Sequence, residues 1–561
     1  MERYRELIEA SYRSLEENLA DYVRKYASAL PGSVAFIETH TGTELTWENF
    51  EKSVNFFAAI LRGHGLKKGD IVATSLPLSK EHVFLIYACY RTGLIAAPLD
   101  LRLKKGELLY SFEKMKPRAY FFLGRTAQAD FTDTMSELMK ASPSVEHWVQ
   151  FQQDDEGILD GALHFRRFLS GAGPVPESAV DDARMKCTRR DPCLIIFTTG
   201  STGMPKAALL CHENILIQNI GISVCFDLKV SDRMLVNLPA SHVGCITEQL
   251  ASIIYAGGTA VILPVFDAQK SLEAIESHRV TFMGQIPALF NLQWKLSNYG
   301  DYDLSSLKYA VYGGQAASLD FLDRMAVMAP FIGTGLGLTE LGGFCTYTDH
   351  GATPSRIFEG LGYASPLCPL SIREPMRPDG MAGDEKLPGE TGEICFSGPQ
   401  VFPGYLNDEK STAETVSRDG FCYTGDVGSY DDRGLHLKGR SKLIIKPKGF
   451  QVFPGYIEDH IMKKLEGKAA SAAVIGFEHA LYSEAVIAFV EPLPGCEFTA
   501  REVSKACRDI ASYARPAHIE VINPGEMPMN RVGKTDYMAL RDKAAPIVAH
   551  LRSQGKWDRR R

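Results

Sequence analysis

The sequence lacks the features that mark several large classes of protein. Its 12 cysteines include no C-x-x-C pair, which in a chain of this length predicts reduced, buried thiols rather than disulfides or a zinc site. No apolar run approaches the roughly 20 residues that cross a bilayer. Residues 1–6 are charged and lack the apolar core of a signal peptide. We therefore expect a cytoplasmic protein with no transmembrane segment, and a peripheral membrane association stays open.

An excess of positive charge is also missing. Lys and Arg number 61 against 68 Asp and Glu, a formal net charge of −7, which argues against a nucleic-acid partner. The 561 residues exceed the usual size of one domain, and the 45% hydrophobic content is ordinary for a globular protein. We therefore expect more than one domain, each with its own core. The oligomeric state cannot be read from the sequence, and a homodimer is one of the states left open.

Strand and helix patterns alternate along the first half of the chain. The apolar runs that predict strands are 34–38, 71–76, 95–99 and 119–123. Phe50, Val54, Phe57 and Leu61 lie at helical spacing and predict one buried helix face. Such alternation is typical of parallel sheets covered by helices on both faces. Residues 1–30 are predicted to form one amphipathic helix. Residues 152–186 are predicted to form a surface excursion, and residues 208–222 a helix.

The stretch 194–206 organises the rest of the chain. Leu194 to Phe197 predict a buried strand, after which glycines and hydroxyl residues lead to Pro205 and Lys206. Small residues let the backbone approach a ligand, and hydroxyls, backbone N–H groups and a lysine suit phosphate oxygens. The spacing is not that of a Walker A loop. We interpret the stretch as a phosphate-binding loop rather than a flexible turn.

This loop resembles the phosphate loop of the adenylate-forming superfamily: acyl-CoA synthetases, luciferases and the adenylation domains of peptide synthetases. Thr199 and Ser201 keep the hydroxyls of the usual form Thr-Ser-Gly-Thr-Thr-Gly-x-Pro-Lys-Gly, and Ala207 replaces its last glycine. Other motifs follow in the superfamily's order between about residues 34 and 536. The resemblance implies a large N-terminal domain of layered α/β sheets with a small β-rich subdomain, and a small mobile α+β C-terminal domain. The implied bounds are 1–439, with the β-rich part at about 350–439, and 440–561.

The same resemblance implies an ATP site. Asp426, in Tyr423-Thr424-Gly425-Asp426, would accept hydrogen bonds from both ribose hydroxyls, which a carboxylate does well. Leu336 stands where the superfamily has an aromatic residue stacked on adenine, so stacking should be weaker or come from another side chain such as Tyr312. The residues implied to bind ATP are Thr198, Thr199, Gly200, Ser201, Thr202, Gly203, Lys206, Gly314, Gln315, Leu336, Asp426, Leu437 and Arg440.

Three residues are implied to be catalytic. Thr339 would touch the α-phosphate, and Glu340 would hold Mg²⁺, which takes hard oxygen ligands. Lys534 closes a motif similar to Leu-Pro-x-x-x-x-Gly-Lys and would bridge the substrate carboxylate and the α-phosphate. A fixed cation there stabilises the charge that develops in the transition state.

The resemblance places the acyl pocket at His242, Gly284, Gly313 and Gly337, although from the residues alone His242 reads as a turn histidine. Peptide-synthetase domains that take α-amino acids usually place an aspartate just past His242, whereas here the first acid is Glu248. Because a buried ammonium needs a carboxylate partner, we expect an acid without an α-amino group. Medium-chain fatty, alicyclic and aromatic acids stay open, and Gln315 would shorten the pocket or bind a polar group.

The C-terminal domain is implied to meet the thiol acceptor. Lys442 would be the hinge between two poses of this domain, and Gly449 would line the pantetheine tunnel. Lys448 would contact CoA phosphates or be a solvated charge. The segment 448–454 is more similar to acyl-CoA and aryl-CoA ligases than to peptide synthetases.

We expect an AMP-forming acid–thiol ligase that uses a carboxylic acid, Mg-ATP and CoA. One alternative is an enzyme that loads a carrier-protein pantetheine. Another is a non-catalytic nucleotide-binding relative, which Leu336 and Ala207 would suit. A luciferase-like oxygenase is the third.

Overall fold

A computed structural model gives the structure of the chain, and it describes residues 4–126, 129–152, 157–198, 205–315, 317–440, 443–447, 450, 452–530 and 533–558. Two large sheets with helices around them make up the N-terminal part, and a smaller α+β unit follows. The predicted fold class is confirmed. Within the described ranges, every helix is too short or too polar to cross a bilayer.

An eight-stranded sheet carries the phosphate-loop strand. Its strands, in spatial order, are β21 (Gly404–Tyr405), β9 (Lys206–Cys211), β8 (Pro192–Thr198), β4 (Ile95–Pro98), β3 (Ile71–Ser75), β5 (Ala119–Leu123), β6 (His147–Phe151) and β7 (Leu163–His164). The strands from β8 to β7 run parallel, whereas β9 pairs antiparallel with both β8 and β21. The hairpin of β8 and β9 places Thr198 opposite Lys206 at the loop.

A seven-stranded sheet forms the other wall of the site. Its spatial order is β14 (Phe331–Gly333), β13 (Tyr309–Tyr312), β12 (Phe282–Gln285), β10 (Arg233–Val236), β11 (Thr259–Ile262), β1 (Val34–Glu38) and β2 (Thr43–Thr46). Every pair is parallel except the hairpin of β1 and β2. The carboxyl ends of β10, β12 and β13 therefore meet at one edge, where open α/β sheets bind ligands.

Helices cover both sheets. They are α1 (Arg5–Arg13), α2 (Asp21–Ala29), α3 (Trp47–Gly63), α4 (Lys80–Thr92), α5 (Lys105–Met115), α6 (Thr132–Ala141), α7 (Phe165–Ser170), α8 (Glu177–Met185), α9 (His212–Cys225), α10 (Ser252–Ala256), α11 (Ala268–Ser277), α12 (Pro287–Trp294), α13 (Leu319–Met328), α14 (Pro354–Glu359) and α15 (Glu409–Thr415). The predicted face of α3 is confirmed, since Phe50, Val54, Phe57 and Leu61 are all buried.

Three segment predictions need correction. Residues 1–30 form two helices rather than one: α1 ends at Arg13 and α2 begins at Asp21, and between them the Asp21 backbone N–H donates a hydrogen bond to Asn18 Oδ1. The predicted helix at 208–222 begins at His212, because the residues before it pair with β8 as a strand. The excursion at 152–186 contains β7, α7 and α8.

The β-rich part follows the second large sheet. Its four-stranded antiparallel sheet has β19 (Leu370–Arg373), β20 (Gly392–Phe396), β22 (Cys422–Asp431) and β23 (Gly434–Arg440). Two short pairs precede it, namely β15 (Gly337–Leu338) with β16 (Gly343–Phe344), and β17 (Thr346–Tyr347) with β18 (Tyr363–Ala364).

The C-terminal unit has its own core. A three-stranded sheet of β24 (Ala469–His479), β25 (Ser483–Pro492) and β26 (His518–Val521) packs with α16 (Pro454–Lys464), α17 (Ala500–Ala506) and α18 (Tyr537–Ser553). Apolar residues cover both faces of the sheet, including Ile457, Val486, Val503 and Leu540. A separate core is what an independently moving domain requires.

Candidate active site

A cavity of about 980 Å³ lies at the edge where β8, β10, β12 and β13 end. This volume is at the upper end of the range for small-molecule sites. Its wall is completed by a π-helical turn at Gly244–Ala251, by β15 and by the turn that carries Lys534. Residues from far apart in the chain thus share one concave space.

The phosphate side of the cavity is built on the β8–β9 hairpin. Thr198 and Lys206 both line it, and the Lys206 backbone N–H donates to Thr198 Oγ1 at 3.4 Å. Lys206 Nζ stands 4.9 Å from the centroid of the Tyr405 ring, a cation–π geometry that holds the ammonium in place. The predicted ATP contacts Thr199, Gly200, Ser201, Thr202 and Gly203 lie outside the described residues.

Thr339 and Glu340 project from a short 3₁₀ turn, Thr339–Leu341, immediately after β15. Both line the cavity, and the Tyr405 hydroxyl donates to Glu340 Oε1 at 2.6 Å. Burial and the Glu340 carboxylate raise the pKa of Tyr405, so its hydroxyl keeps the proton that it donates. Sequence reasoning did not identify Tyr405, since its place beside Glu340 arises from the pairing of β21 with β9.

The oxygen donors here fit Mg²⁺. Glu340 and Thr339 present a carboxylate and a hydroxyl to the cavity. Across the part of the chain that the structure describes, no group of three or more His, Cys, Asp or Glu side chains could hold a metal alone. Mg²⁺ is commonly bound by one or two carboxylates together with substrate phosphates and water. The residues present therefore suit Mg²⁺ that arrives with a nucleotide.

Asp426 and Arg440 form an ion pair beside the cavity. They lie opposite each other on β22 and β23, and Arg440 Nε is 3.0 Å from Asp426 Oδ1. Burial raises the pKa of Asp426, while Arg440 and Lys534 oppose that rise. Arg440 and Gly425 line the cavity, whereas Leu437 is 44% exposed and is not part of the lining.

Lys534 reaches the cavity from the C-terminal unit. Its backbone N–H donates to Asn530 Oδ1 at 3.0 Å, and its carbonyl accepts from the Asn530 N–H at 2.7 Å, so the turn is closed on both sides. Burial, followed by the nearby Arg440, lowers the pKa of Lys534, while Asp426 and Glu248 raise it. Lys534 therefore lies near both positive and negative side chains of the site.

Gly314 and Gln315 form the floor on which the Lys534 turn rests. Gly314 has φ +82°, and a Cβ added to it would lie 3.3 Å from Lys534 Cε. The Gln315 side-chain amide donates to the Gly533 carbonyl at 2.8 Å. Gln315 thus contacts the C-terminal unit, a role different from the ATP or acyl contact that the sequence suggested, and it is not part of the cavity lining.

The residues predicted to form the acyl pocket, His242, Gly284, Gly313 and Gly337, all line the cavity. His242 Nδ1 accepts a hydrogen bond from the Gly244 N–H at 3.0 Å. Burial, followed by the nearby Lys534, lowers the pKa of His242 to about 4, so the imidazole is neutral near pH 7. His242 therefore accepts a hydrogen bond within its own turn and also lines the cavity.

A buried amide network fixes this wall. Gln249 Nε2 donates to the Gly284 carbonyl at 2.7 Å and to Asn237 Oδ1 at 3.1 Å. Asn237 in turn donates to Gln285 Oε1 at 2.8 Å. These bonds tie the π-helical turn to the ends of β10 and β12, and all three amide residues line the cavity, so they help to set its shape.

Glu248 corrects one premise of the sequence analysis. The acyl side was expected to lack a carboxylate, yet Glu248 lines the cavity from the π-helical turn. It lies six residues past His242, and the extra residue of a π turn shifts which side chains face the pocket. Its charge in an otherwise apolar segment was the signal that could have identified it.

Leu336 is not brought to the cavity. It is buried against Leu341, Cys345 and Phe396 in the core of the β-rich part, and its N–H donates to Thr346 Oγ1 at 2.8 Å. Tyr312, named as the substitute for the missing aromatic residue, does line the cavity. The predicted hinge Lys442 and CoA residues Lys448 and Gly449 lie outside the described residues.

Known proteins are similar to this chain over most of its length. Residues 23–406 match the family described as AMP-binding enzyme, and 461–534 match the AMP-binding enzyme C-terminal domain. An indoleacetate–CoA ligase from Aromatoleum aromaticum is 28% identical, with 92% of this chain and 96% of the relative covered. A long-chain-fatty-acid–CoA ligase from Mycobacterium tuberculosis is 26% identical, with 95% and 99% covered. The structure of ATP-bound MatB from Rhodopseudomonas palustris has a TM-score of 0.80 at 22% identity, with 94% and 99% covered.

The chain belongs to the AMP-binding enzyme family, because that family's match extends over more than half of its length. The resemblance to the adenylate-forming superfamily is thereby confirmed. Relatives that match over nearly their full lengths carry CoA-ligase names. The prediction of an ATP-dependent acyl-CoA synthetase is confirmed at the level of this enzyme class.

Proposed function

We propose that the chain joins a carboxylic acid to CoA in two half-reactions within this cavity. The first converts the acid and Mg-ATP into an acyl-adenylate and pyrophosphate, and the second replaces AMP with the CoA thiol. The acid is a medium-chain fatty, alicyclic or aromatic one. The observation that carries the proposal is the entry of Lys534 into a cavity whose wall also holds Thr339, Glu340 and Arg440.

In the first half-reaction, a carboxylate oxygen of the acid attacks the α-phosphorus of ATP, and the bond to the bridging oxygen of pyrophosphate breaks. Lys534 stabilises the negative charge that spreads over the α-phosphoryl oxygens, since a fixed cation needs no reorganisation during the step. Thr339 donates a hydrogen bond to an α-phosphate oxygen. Asp426 accepts hydrogen bonds from the ribose, and Lys206 with Thr198 holds the outer phosphates.

Glu340 would hold Mg²⁺ together with the ATP phosphates. When bound, Mg²⁺ neutralises charge on the phosphates and on the departing pyrophosphate. The Tyr405 hydroxyl fixes the orientation of Glu340 through its 2.6 Å hydrogen bond. A ligand carboxylate that is itself hydrogen-bonded keeps its position when the metal arrives.

In the second half-reaction, the CoA thiolate attacks the acyl carbonyl carbon, and the carbon–oxygen bond to AMP breaks. We propose that residues 440–561 rotate between the two steps about Lys442, so that Lys534 leaves and Gly449 lines the pantetheine path, with Lys448 near the CoA phosphates. The separate core of the C-terminal unit supports this proposal. The contact from Gln315 to Gly533 would be broken and remade in each cycle.

The test measures AMP and acyl-thioester formation with Mg-ATP, with and without CoA, for octanoate, cyclohexanecarboxylate, 3-phenylpropanoate and 3-(4-hydroxyphenyl)propanoate. We expect CoA-dependent AMP and a thioester mass for at least one of these acids. Pyrophosphate release without thioester would favour a carrier-protein acceptor in place of CoA. ATP binding with no pyrophosphate release for any acid would contradict the proposal and favour the non-catalytic relative.

A further inference from the structure

Glu248 places a carboxylate in the wall of the acyl pocket. Glu248 lines the cavity, and two glycines pack closely against its carboxylate: a Cβ added to Gly337 would lie 3.3 Å from Glu248 Oε1, and one added to Gly343 would lie 2.9 Å from the same atom. Any larger residue at either position would press on this carboxylate. The space beside the carboxylate is therefore part of the pocket shape.

The hydrogen-bonding capacity of Glu248 is largely unused. The Phe344 backbone N–H donates to it, and no cation forms an ion pair with it among the described residues. Lys534 acts on it from beyond ion-pair distance, and burial raises the pKa of Glu248 to about 7. Two carboxylate oxygens offer about four acceptor positions. The single backbone donor leaves most of these acceptor positions without a hydrogen bond, and Glu248 lines the cavity.

The other groups near Glu248 do not meet this need. The Gln249 amide is occupied by Asn237 and Gly284. His242 Nδ1 accepts from Gly244, and no hydrogen bond joins the Nε2–H of His242 to Glu248 among the described residues. Beyond them, the cavity is lined by apolar side chains from several elements, namely Ile222, Phe226, Met234, Phe282, Val311 and Phe344. Glu248 is thus an acidic acceptor set in an apolar, partly aromatic wall.

We propose that Glu248 determines substrate specificity by accepting a hydrogen bond from a hydroxyl or amine on the apolar body of the acid. The inference rests on the proposed function and narrows its substrate to a donor-bearing aromatic or alicyclic acid. A ligand with such a donor satisfies the buried carboxylate. A purely apolar acid would leave the buried carboxyl group of Glu248 without a hydrogen-bond partner, which is costly in either protonation state. A site built to bond a polar group discriminates strongly against analogues that lack it.

The test uses acyl-sulfamoyl adenosines, which mimic the adenylate and need no turnover. The acyl group is 3-phenylpropanoyl, either unsubstituted or with a hydroxyl or an aminomethyl group at the ortho, meta or para position. Dissociation constants are measured by calorimetry for the wild type and for Glu248→Leu and Glu248→Gln. Glu273→Gln, an exposed acid on α11, serves as the matched control.

For the wild type and Glu273→Gln, at least one substituted analogue should bind about tenfold or more tightly than the unsubstituted one, the value of one charge-assisted hydrogen bond. Glu248→Leu should abolish that preference. Glu248→Gln, which keeps a neutral acceptor, should retain part of a hydroxyl preference and lose an aminomethyl preference. The two donor chemistries are thereby distinguished.

Two outcomes would overturn the inference: equal binding of all analogues by the wild type, or a preference that persists in both Glu248 variants. If Glu248→Leu does not fold, the aminomethyl arm with Glu248→Gln decides. Pyrophosphate release from the corresponding free acids is measured in parallel. Pyrophosphate release without any donor preference would overturn this inference and leave the proposed function standing. Donor-dependent binding of the analogues without pyrophosphate release from any acid would overturn the proposed function and leave the role of Glu248 in binding standing.

Discussion

The side of the cavity that we assign to the nucleotide and the side that we assign to the acyl group are built in different ways. On the nucleotide side, adjacent residues of short motifs supply the chemistry: Thr339 beside Glu340, and Asp426 facing Arg440 across one hairpin. On the acyl side, glycines make space, and the polar groups come from distant segments, as with Glu248 against Gly337. Phosphate chemistry is common to a whole family, while the acyl wall has to fit one substrate class.

The largest expected effect falls on the nucleotide side. Lys534→Ala should slow pyrophosphate release by about a hundredfold or more, the usual loss when one preorganised charge-stabilising group is removed. Transfer of the acyl group to CoA from supplied acyl-adenylate should change little. Both half-reactions are measured separately, with the exposed Lys505→Ala on α17 as the control. Pyrophosphate release at the wild-type rate would contradict the assignment of Lys534.

Asp426→Asn should weaken ATP binding by about tenfold to a hundredfold, because a charged acceptor contributes roughly 1.5–3 kcal/mol to a hydrogen bond. The effect on binding of the acid should be smaller, which would sharpen the separation of the two sides. Calorimetric titration of ATP measures it. Asp431→Asn, at the far end of the same strand, is the control, and an equal loss in that variant would refute a specific contact.

Tyr405→Phe should raise the Mg²⁺ concentration needed for half-maximal pyrophosphate release by about tenfold, since one charge-assisted hydrogen bond to Glu340 is lost. The ring that stands under Lys206 is kept, so ATP binding in the absence of Mg²⁺ should not change. Tyr456→Phe, 57% exposed, is the control. An unchanged Mg²⁺ requirement would show that Tyr405 does not orient Glu340.

Gln315→Ala should slow adenylation by about fivefold, the value of one neutral hydrogen bond, because the turn that carries Lys534 docks less well. The thioester half-reaction should keep its rate, since that contact is not used there. Gln269→Ala, exposed on α11, is the control. Equal slowing of both half-reactions would indicate a general loss of structure instead.

The smallest effect concerns stability on the acyl side. Burial raises the pKa of Glu248 to about 7 from 4.5. Between these values the unfolded chain gives up its proton while the folded chain keeps it, so this group makes the protein less stable as pH rises from about 4.5 to about 7. Above that range its contribution is constant. Because the carboxyl faces a cavity, we expect an effect on the order of 1 kcal/mol.

Thermal unfolding of the wild type and Glu248→Gln from pH 5 to pH 8 measures this contribution. The glutamine variant should lose less stability than the wild type as pH rises. Glu273→Gln should follow the wild type. Parallel curves for the wild type and Glu248→Gln would show that Glu248 does not titrate in this range.

The sequence by itself determined the class of fold and the order of the motifs, and it predicted the nucleotide residues, because each of these depends on neighbours in the chain. The strand at β8, the pair Thr339 and Glu340, and the hairpin of Asp426 and Arg440 are local patterns with local chemistry. A glycine-rich loop or a Gly-Lys pair can be recognised in the sequence without knowing where the fold places it.

Only the tertiary structure decided what faces the acyl pocket. Leu336 was expected at the adenine and is buried in the β-rich core, Gln315 was expected at a ligand and holds the Lys534 turn, and Glu248 was passed over and lines the pocket. The direction of a side chain at a strand end or in a π turn depends on the packing of the elements around it. That packing brings into contact residues that are far apart in the chain, such as Gln315 and Gly533, so it cannot be predicted from a local sequence pattern.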